Sequence, residues 1–145
     1  MVLYIACDHG GIELKKAIVD KLENQNVKVV DYGTNTTDSV DYPDYGYKVA
    51  ESVAKDAGSK GIVICKTGVG MSICANKVKG VRCALCTSVD MARLCREHNN
   101  ANVLALGAGN TDIATALEMV DAFMSTEFAG GRHEARVAKI MAHEA

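Results

Sequence analysis

The sequence holds no apolar run of 18 residues, so it contains no transmembrane helix. It has no internal repeat, low-complexity segment or linker, and one proline against 13 glycines, which fits a compact domain with tight turns. Its 145 residues are therefore read as one domain, 1–145, large enough to bury its own core. No charge sign dominates. Sixteen Lys and Arg stand against 18 Asp and Glu, a net charge of −2. That balance carries no electrostatic footprint for nucleic acid or a membrane surface, and neither is expected as a partner. The opening M-V-L-Y-I-A-C-D lacks a basic region and runs straight into a strand pattern. No signal peptide is expected, and the predicted location is cytoplasmic. In that setting the six cysteines are read as reduced thiols rather than a disulfide framework. What is present, 48% hydrophobic and 23% charged residues, is ordinary for a soluble globular protein.

The chain is organised around G-I-V-I-C-K-T-G-V-G-M-S-I-C-A-N-K, residues 61–77. Residues 62–65 form a short apolar, β-branched run after Gly61, the pattern of a buried strand. Lys66-Thr67-Gly68-Val69-Gly70 then leads toward a run that can be helical. Gly68 and Gly70 tolerate positive φ and allow a ligand to approach the backbone. The N–H groups of such a turn, ahead of a helix N-terminus, form an anion site. Cys65 at its start is a candidate base or nucleophile. A buried cysteine before an ordinary turn fits this stretch equally well.

Strands and helices alternate along the rest. Strands are predicted at 2–7, 27–31, 62–65, 81–86 and 102–106. Helices are predicted at 12–24, 44–57, 72–78, from a Ser88 cap to Glu97, from a Thr111 cap to the Gly130-Gly131 break, and at 132–142. Leu14, Ala17, Ile18 and Leu22 line one face of the first helix; Ile113, Leu117, Val120 and Met124 are expected to line one face of the fifth. Residues 32–43 read as a long polar loop, either functional or plain surface. Alternation of this kind predicts right-handed βαβ units and a parallel sheet. The expected fold is α/β: a three-layer αβα sandwich, a doubly wound, Rossmann-like five-stranded sheet of order 2-1-3-4-5, with an extra C-terminal helix. The first and third strands would flank the switch point where ligands bind, so the turns at His9 and Cys65 would share one crevice.

Several motifs fall short of a nucleotide or metal site. Position 73 is Ile, so the dinucleotide fingerprint fails, and there is no phosphate-loop match. Cys83-x-x-Cys86 with Cys95-x-x-His98 imitates a zinc pattern. A separation of three within a strand places Cys83 and Cys86 on opposite faces, however, so no metal is expected. Cys7, Cys74, Cys83, Cys86 and Cys95 are read as small core residues. His98-Asn99-Asn100 follows the fourth helix, and its turn is expected at the carboxyl edge of the sheet; His98 is either a reacting group or a helix-dipole partner. Arg132 and Arg136 share one helix face, which suits a phosphate or a solvated surface.

Taken together the motifs resemble the ribose-5-phosphate isomerase B family, which also holds galactose-6-phosphate and allose-6-phosphate isomerases. The carriers are D-H-G-G at residues 8–11, S-V-D-Y-P-D at 39–44, C-K-T-G-V-G-M-S at 65–72, A-N-K at 75–77, H-N-N-A-N at 98–102 and F-A-G-G-R-H-E-A-R-V at 128–137. The resemblance covers essentially the whole chain. It implies a metal-independent, cofactor-free aldose–ketose isomerase that interconverts ribose 5-phosphate and ribulose 5-phosphate. Cys65 would be the base at carbon, with Thr67 beside it in the catalytic set. The amides from Lys66 through Thr67, Gly68 and Val69 to Gly70 would hold the enediolate. His98 would open the sugar ring, with Asp8 and Asn99 near the sugar. His9, Arg132 and Arg136 would bind the phosphate, and Tyr42 is a further candidate for substrate contact. The family works as dimers or dimers of dimers (tetramers), with the site shared between subunits.

Two positions depart from that pattern. Lys66 stands where the family usually has glycine, and Gly109 where it usually has a phosphate-binding arginine. Lys66 then either supplies part of the missing charge or points at solvent while the substrate has changed. Three alternatives follow: the same chemistry on allose 6-phosphate, galactose 6-phosphate or a tetrose phosphate; a non-catalytic phosphosugar-binding protein; or a metal-dependent hydride-shift isomerase. Retention of Cys65, Thr67 and His98 argues against the binder, which needs no base.

Overall fold

The computed structural model describes residues 1–144; Ala145, the last residue of the predicted domain, lies outside them. Elements follow in the order β1 (Val2–Cys7), α1 (Ile12–Asn24), β2 (Lys28–Asp31), α2 (Tyr42–Lys55), β3 (Lys60–Cys65), α3 (Val69–Asn76), β4 (Cys83–Leu85), α4 (Val89–Glu97), β5 (Val103–Gly107), α5 (Ile113–Ser125) and α6 (Arg132–Ala142). All strand pairs are parallel. The architecture is the predicted doubly wound αβα sandwich, but the strand order is β2-β1-β3-β5-β4 rather than 2-1-3-4-5. The chain passes from β3 over α3 to the far edge, then returns over α4 to fill the gap with β5. Right-handed crossovers moving in opposite directions place their helices on opposite faces. Leu14, Ile18 and Leu22 of α1, Ala92 and Cys95 of α4, and Met119, Val120 and Phe123 of α5 accordingly bury one face. Val49, Ala50 and Val53 of α2 and Met71, Cys74 and Ala75 of α3 bury the other.

Local corrections have local causes. α2 starts at Tyr42, with Pro43 in its first turn, where a missing N–H does no harm. The loop before it is therefore shorter than predicted. α3 starts directly after Gly68, three residues earlier than expected. Asp112, not Thr111, caps α5: its carboxylate accepts from the Thr115 amide at 2.8 Å. The helix packs with a face turned from the predicted one: Ala116, Met119, Val120 and Phe123 are buried while Ile113 is 42% exposed. The Ser88 cap of α4 forms as predicted, accepting from Met91 N at 3.2 Å.

One buried charge holds the approach to the site. Lys15 of α1 is 2% exposed and donates to both Asp31 oxygens, at 2.8 and 2.9 Å, and to Asn35 Oδ1 at 2.6 Å. A buried ammonium needs such partners. These tie α1 to the end of β2 and to the loop that leads toward Tyr42.

Candidate active site

Three loops meet at the carboxyl edge of the sheet. The Asp8 amide donates to Ile64 O at 3.0 Å, which fixes the β1 turn beside β3. Ala108 N donates to Cys65 O at 2.9 Å and Gly109 N to Lys66 O at 2.8 Å, which fixes the β5 turn on the other side. The turns at His9 and Cys65 therefore share a crevice, as the switch-point argument predicts.

Cys65 ends β3 at 6% exposure. Its Sγ accepts from the Gly68 amide at 3.2 Å. Gly68 has φ 80°, the left-handed region, and lies against Leu85 and the Leu106 carbonyl group, so only glycine fits. Its conformation turns the chain from β3 into α3. Thr67 Oγ1 accepts from Val69 N at 3.2 Å. The first-turn amides of Gly70 and Met71 have no carbonyl four residues back inside α3. The Tyr42 ring packs on Gly70: a Cβ there would meet its Cε1 and Cζ at 2.6 Å. Tyr42 thus reaches the turn, although it belongs to α2. Asp8 is nearly buried and accepts from Gly10 N at 2.9 Å. His9 is exposed, and its Nδ1 accepts from Val40 N at 3.3 Å, so the loop after β2 closes over the β1 turn.

Lys66 and Gly109, the two departures, touch. A Cβ at Gly109 would lie 3.1 Å from Lys66 Cγ, 3.1 Å from its carbonyl oxygen and 3.7 Å from Cε. The exposed lysine stem occupies the room beside a residue without a side chain.

The other predicted residues lie elsewhere, which corrects the expectation that the His98 turn sits at the carboxyl edge. α4 runs back along the sheet, so its C-cap, His98, leads into the amino end of β5. Gly61 pairs with Val103 at that end, whereas Cys65 pairs with Gly107 at the other. The length of β5, about 16 Å, separates the two edges. At the amino side the His98 ring stacks on His133, with centroids 4.3 Å apart and planes 16° apart. Ala129 N donates to Glu97 O at 3.1 Å and joins the start of the α6 region to α4. Arg132 and Arg136 are exposed on α6 near this pair, and Asn99 is exposed beside it. Desolvation, then the charges of His98, Arg132 and Arg136, push His133 below the ordinary imidazole value, against Glu97. No role falls to His133 in the sequence reading, although it sits in the quoted motif; its contact crosses from α4 to α6 and leaves no periodic signal.

The remaining cysteines pack in the interior. Cys86 and Cys95 belong to one core, Cys74 to the other, and Cys83 packs against the latter, so the Cys83–Cys86 pair does face opposite ways. Burial pushes Cys7 up to about 11 and raises Cys74 and Cys83. Contact between Cys86 and Cys95 raises the former and lowers the latter.

Residues 3–140 match the ribose/galactose isomerase family. The chain is 44% identical over 138 residues to ribose-5-phosphate isomerase B of Escherichia coli, an overlap of 95% of this chain and 93% of that one. The solved ribose-5-phosphate isomerase B of Clostridium thermocellum superposes with a TM-score of 0.96 at 51% identity, covering 99% of this chain and 97% of its own. That of Mycoplasma genitalium, with bound ribulose-5-phosphate, gives 0.96 at 43% identity, covering 99% and 95%. With its fold, its crevice and these relatives in agreement, the chain belongs to the ribose/galactose isomerase family and is a sugar-phosphate isomerase.

Proposed function

We propose that this protein interconverts ribose 5-phosphate and ribulose 5-phosphate through an enediolate, without a metal, in a site built from two copies of the chain. The observation that carries the reading is Cys65 at the mouth of a glycine turn, its Sγ accepting from the Gly68 amide at 3.2 Å with the N-terminus of α3 directly behind it. Cys65 removes the C2 proton of the open aldose. The electron pair moves into the C1–C2 bond, and charge collects on the carbonyl oxygen at C1. The Gly70 and Met71 amides stabilise that oxygen. The proton then returns at C1 while the C2 hydroxyl proton passes to the C1 oxygen, leaving a C1 hydroxyl and the C2 carbonyl of the ketose. A thiol suits this task because its thiolate is a base that can be held without a metal. Ring opening needs a second acid–base group, and His98 is the one with a position in the motif set. A phosphate grip by His9, Arg132 and Arg136 orients C1 and C2.

The two edges of one sheet cannot meet in one chain, which supports the second copy. α3 exposes Val69 and Ile73, 47% and 57% accessible and one turn apart, and α6 exposes Ile140 at 51%. An apolar face of this kind beside a half-complete site is what a two-fold partner covers. Purified, EDTA-treated protein is expected to form ribulose 5-phosphate from ribose 5-phosphate. Turnover only of a six-carbon phosphosugar would overturn the substrate assignment and leave the chemistry standing.

Lys66, lying across Gly109, brings a cation to the same edge and supplies charge for the phosphate. Lys66→Gly is expected to raise KM about tenfold, the loss of one charge-assisted contact, with kcat nearly unchanged. Steady-state kinetics that leave KM and the pH profile unaltered would show the lysine to be a bystander.

A further inference from the structure

A second polar cavity lies at the amino edge of the sheet, away from Cys65. It has a volume of about 250 Å³ and is lined by Ser59, Lys60, Arg82, Arg96, Asn100 and Asn102 together with Gly58. Three cations from separate parts of the chain line it: Lys60 opens β3, Arg82 precedes β4 and Arg96 is in the last turn of α4. Among the described residues none of the three has a carboxylate within ion-pair distance. Glu127 and Glu144 act on them only at longer range. Glu144 is held by Gly80 N at 2.8 Å.

The cations are anchored by neutral oxygens, which hold them in place without neutralising them. Arg96, 7% exposed, donates from Nε to Thr126 O at 3.1 Å and from Nη1 to Asn100 Oδ1 at 3.0 Å and Ala101 O at 2.6 Å. Its Nη2 makes no hydrogen bond among the described residues. Arg82 donates from Nε to Asn100 O at 2.9 Å and from Nη1 to Met141 Sδ at 3.1 Å, which also leaves Nη2 uncommitted. The Lys60 ammonium has one long bond, 3.3 Å to Met124 O, and lies 5.7 Å from the Phe123 ring centroid. Desolvation lowers the pKa of all three, and Arg96 lowers the other two further. Like charges gathered in a partly desolvated cavity repel one another unless an anion joins them.

We propose that this cavity is a second binding site, distinct from the isomerase crevice, for a small dianionic oxyanion of the phosphate type. The two free guanidinium nitrogens and the ammonium provide three donors for tetrahedral oxygens. Asn102 is committed to the Gly80 carbonyl and the Arg82 amide, so it shapes the wall. The site sits where β3, β4 and β5 begin, so occupancy ties these strand ends together and stabilises the folded chain.

The test is a ³¹P NMR titration of inorganic phosphate into the intact protein, with methyl phosphate as a second probe. Two binding events per chain are expected. Lys60→Met keeps the buried stem and removes the charge; it is expected to weaken one event about tenfold or more while isomerase activity is retained. Arg82→Gln does the same, and in both variants the rise in thermal midpoint with phosphate shrinks. Arg136→Gln affects the other event and the activity. Methyl phosphate binding as well as phosphate identifies a monoester site; a preference for phosphate identifies a free-ion site. A single event, lost in Arg136→Gln and unchanged in Lys60→Met and Arg82→Gln, overturns the proposal.

Discussion

Cys65→Ala is expected to lower kcat for ribose 5-phosphate isomerisation by about 10²–10⁴-fold, the usual contribution of a positioned acid–base group. Substrate binding should persist, because the phosphate grip does not involve the sulfur. The change removes one sulfur atom from a position already 6% exposed, so loss of stability should stay near the 1 kcal/mol typical of point substitutions. Folding is checked by circular dichroism, and binding by titration with ribulose 5-phosphate. Activity within threefold of the parent would remove Cys65 from the mechanism. The site would then have to find its base among Asp8 and His9, the other acid–base groups at that edge. Cys86→Ala is the matched control, since contact with Cys95, and then burial, hold that thiol well above its ordinary value.

A mixture of Cys65→Ala and His98→Ala chains, each nearly inactive alone, is expected to recover about one quarter of parental activity. Random pairing in a two-fold dimer makes about half of the dimers mixed, and each mixed dimer holds one intact and one doubly damaged site. The mixture is made by unfolding and refolding the two chains together, and activity is read per total chain. No recovery would mean that Cys65 and His98 act within one chain. That outcome conflicts with their placement at opposite edges of β5, and would require α4 and its C-cap to move the length of the strand. The experiment separates the shared-site reading from the identity of the base, because it uses both variants and depends only on which chain supplies each group.

Much of this was readable beforehand. β1, α1 and α6 have the predicted boundaries because each carries a local signal: a six-residue apolar run, a 3.6-residue apolar stripe, and the Gly130-Gly131 break before a helix. The crevice was legible too, since a turn that follows a parallel strand must emerge at the carboxyl edge. The same rule, applied with care, would have sent His98 to the amino edge, because a turn entering a strand lies at the opposite end. The order of β4 and β5 was not fixed by local pattern, although a hint existed. Val103–Gly107 is buried at every position, as a central strand must be, whereas Cys83–Leu85 is short and only half-buried. Thr111 and Asp112 both satisfy the rules for an N-cap, and Asp112 takes the place by accepting from the Thr115 amide; burial of Phe123 and Met119 comes from packing on the sheet.

Sequence by itself determined the class of fold, the kind and approximate span of most elements and the cysteine-to-glycine turn, because strand length, helix stripe and glycine placement are local properties that each segment carries alone. Tertiary structure decided what no segment could. It placed β5 beside β3, which depends on which helices pack on which face. It laid the Lys66 stem across Gly109, a contact between residues far apart in the chain. It set His98 and His133 against each other at the edge opposite Cys65, and gathered Lys60, Arg82 and Arg96 around one cavity. Distances across a sheet arise from the packing of whole layers, and periodicity in a single chain contains no measure of them.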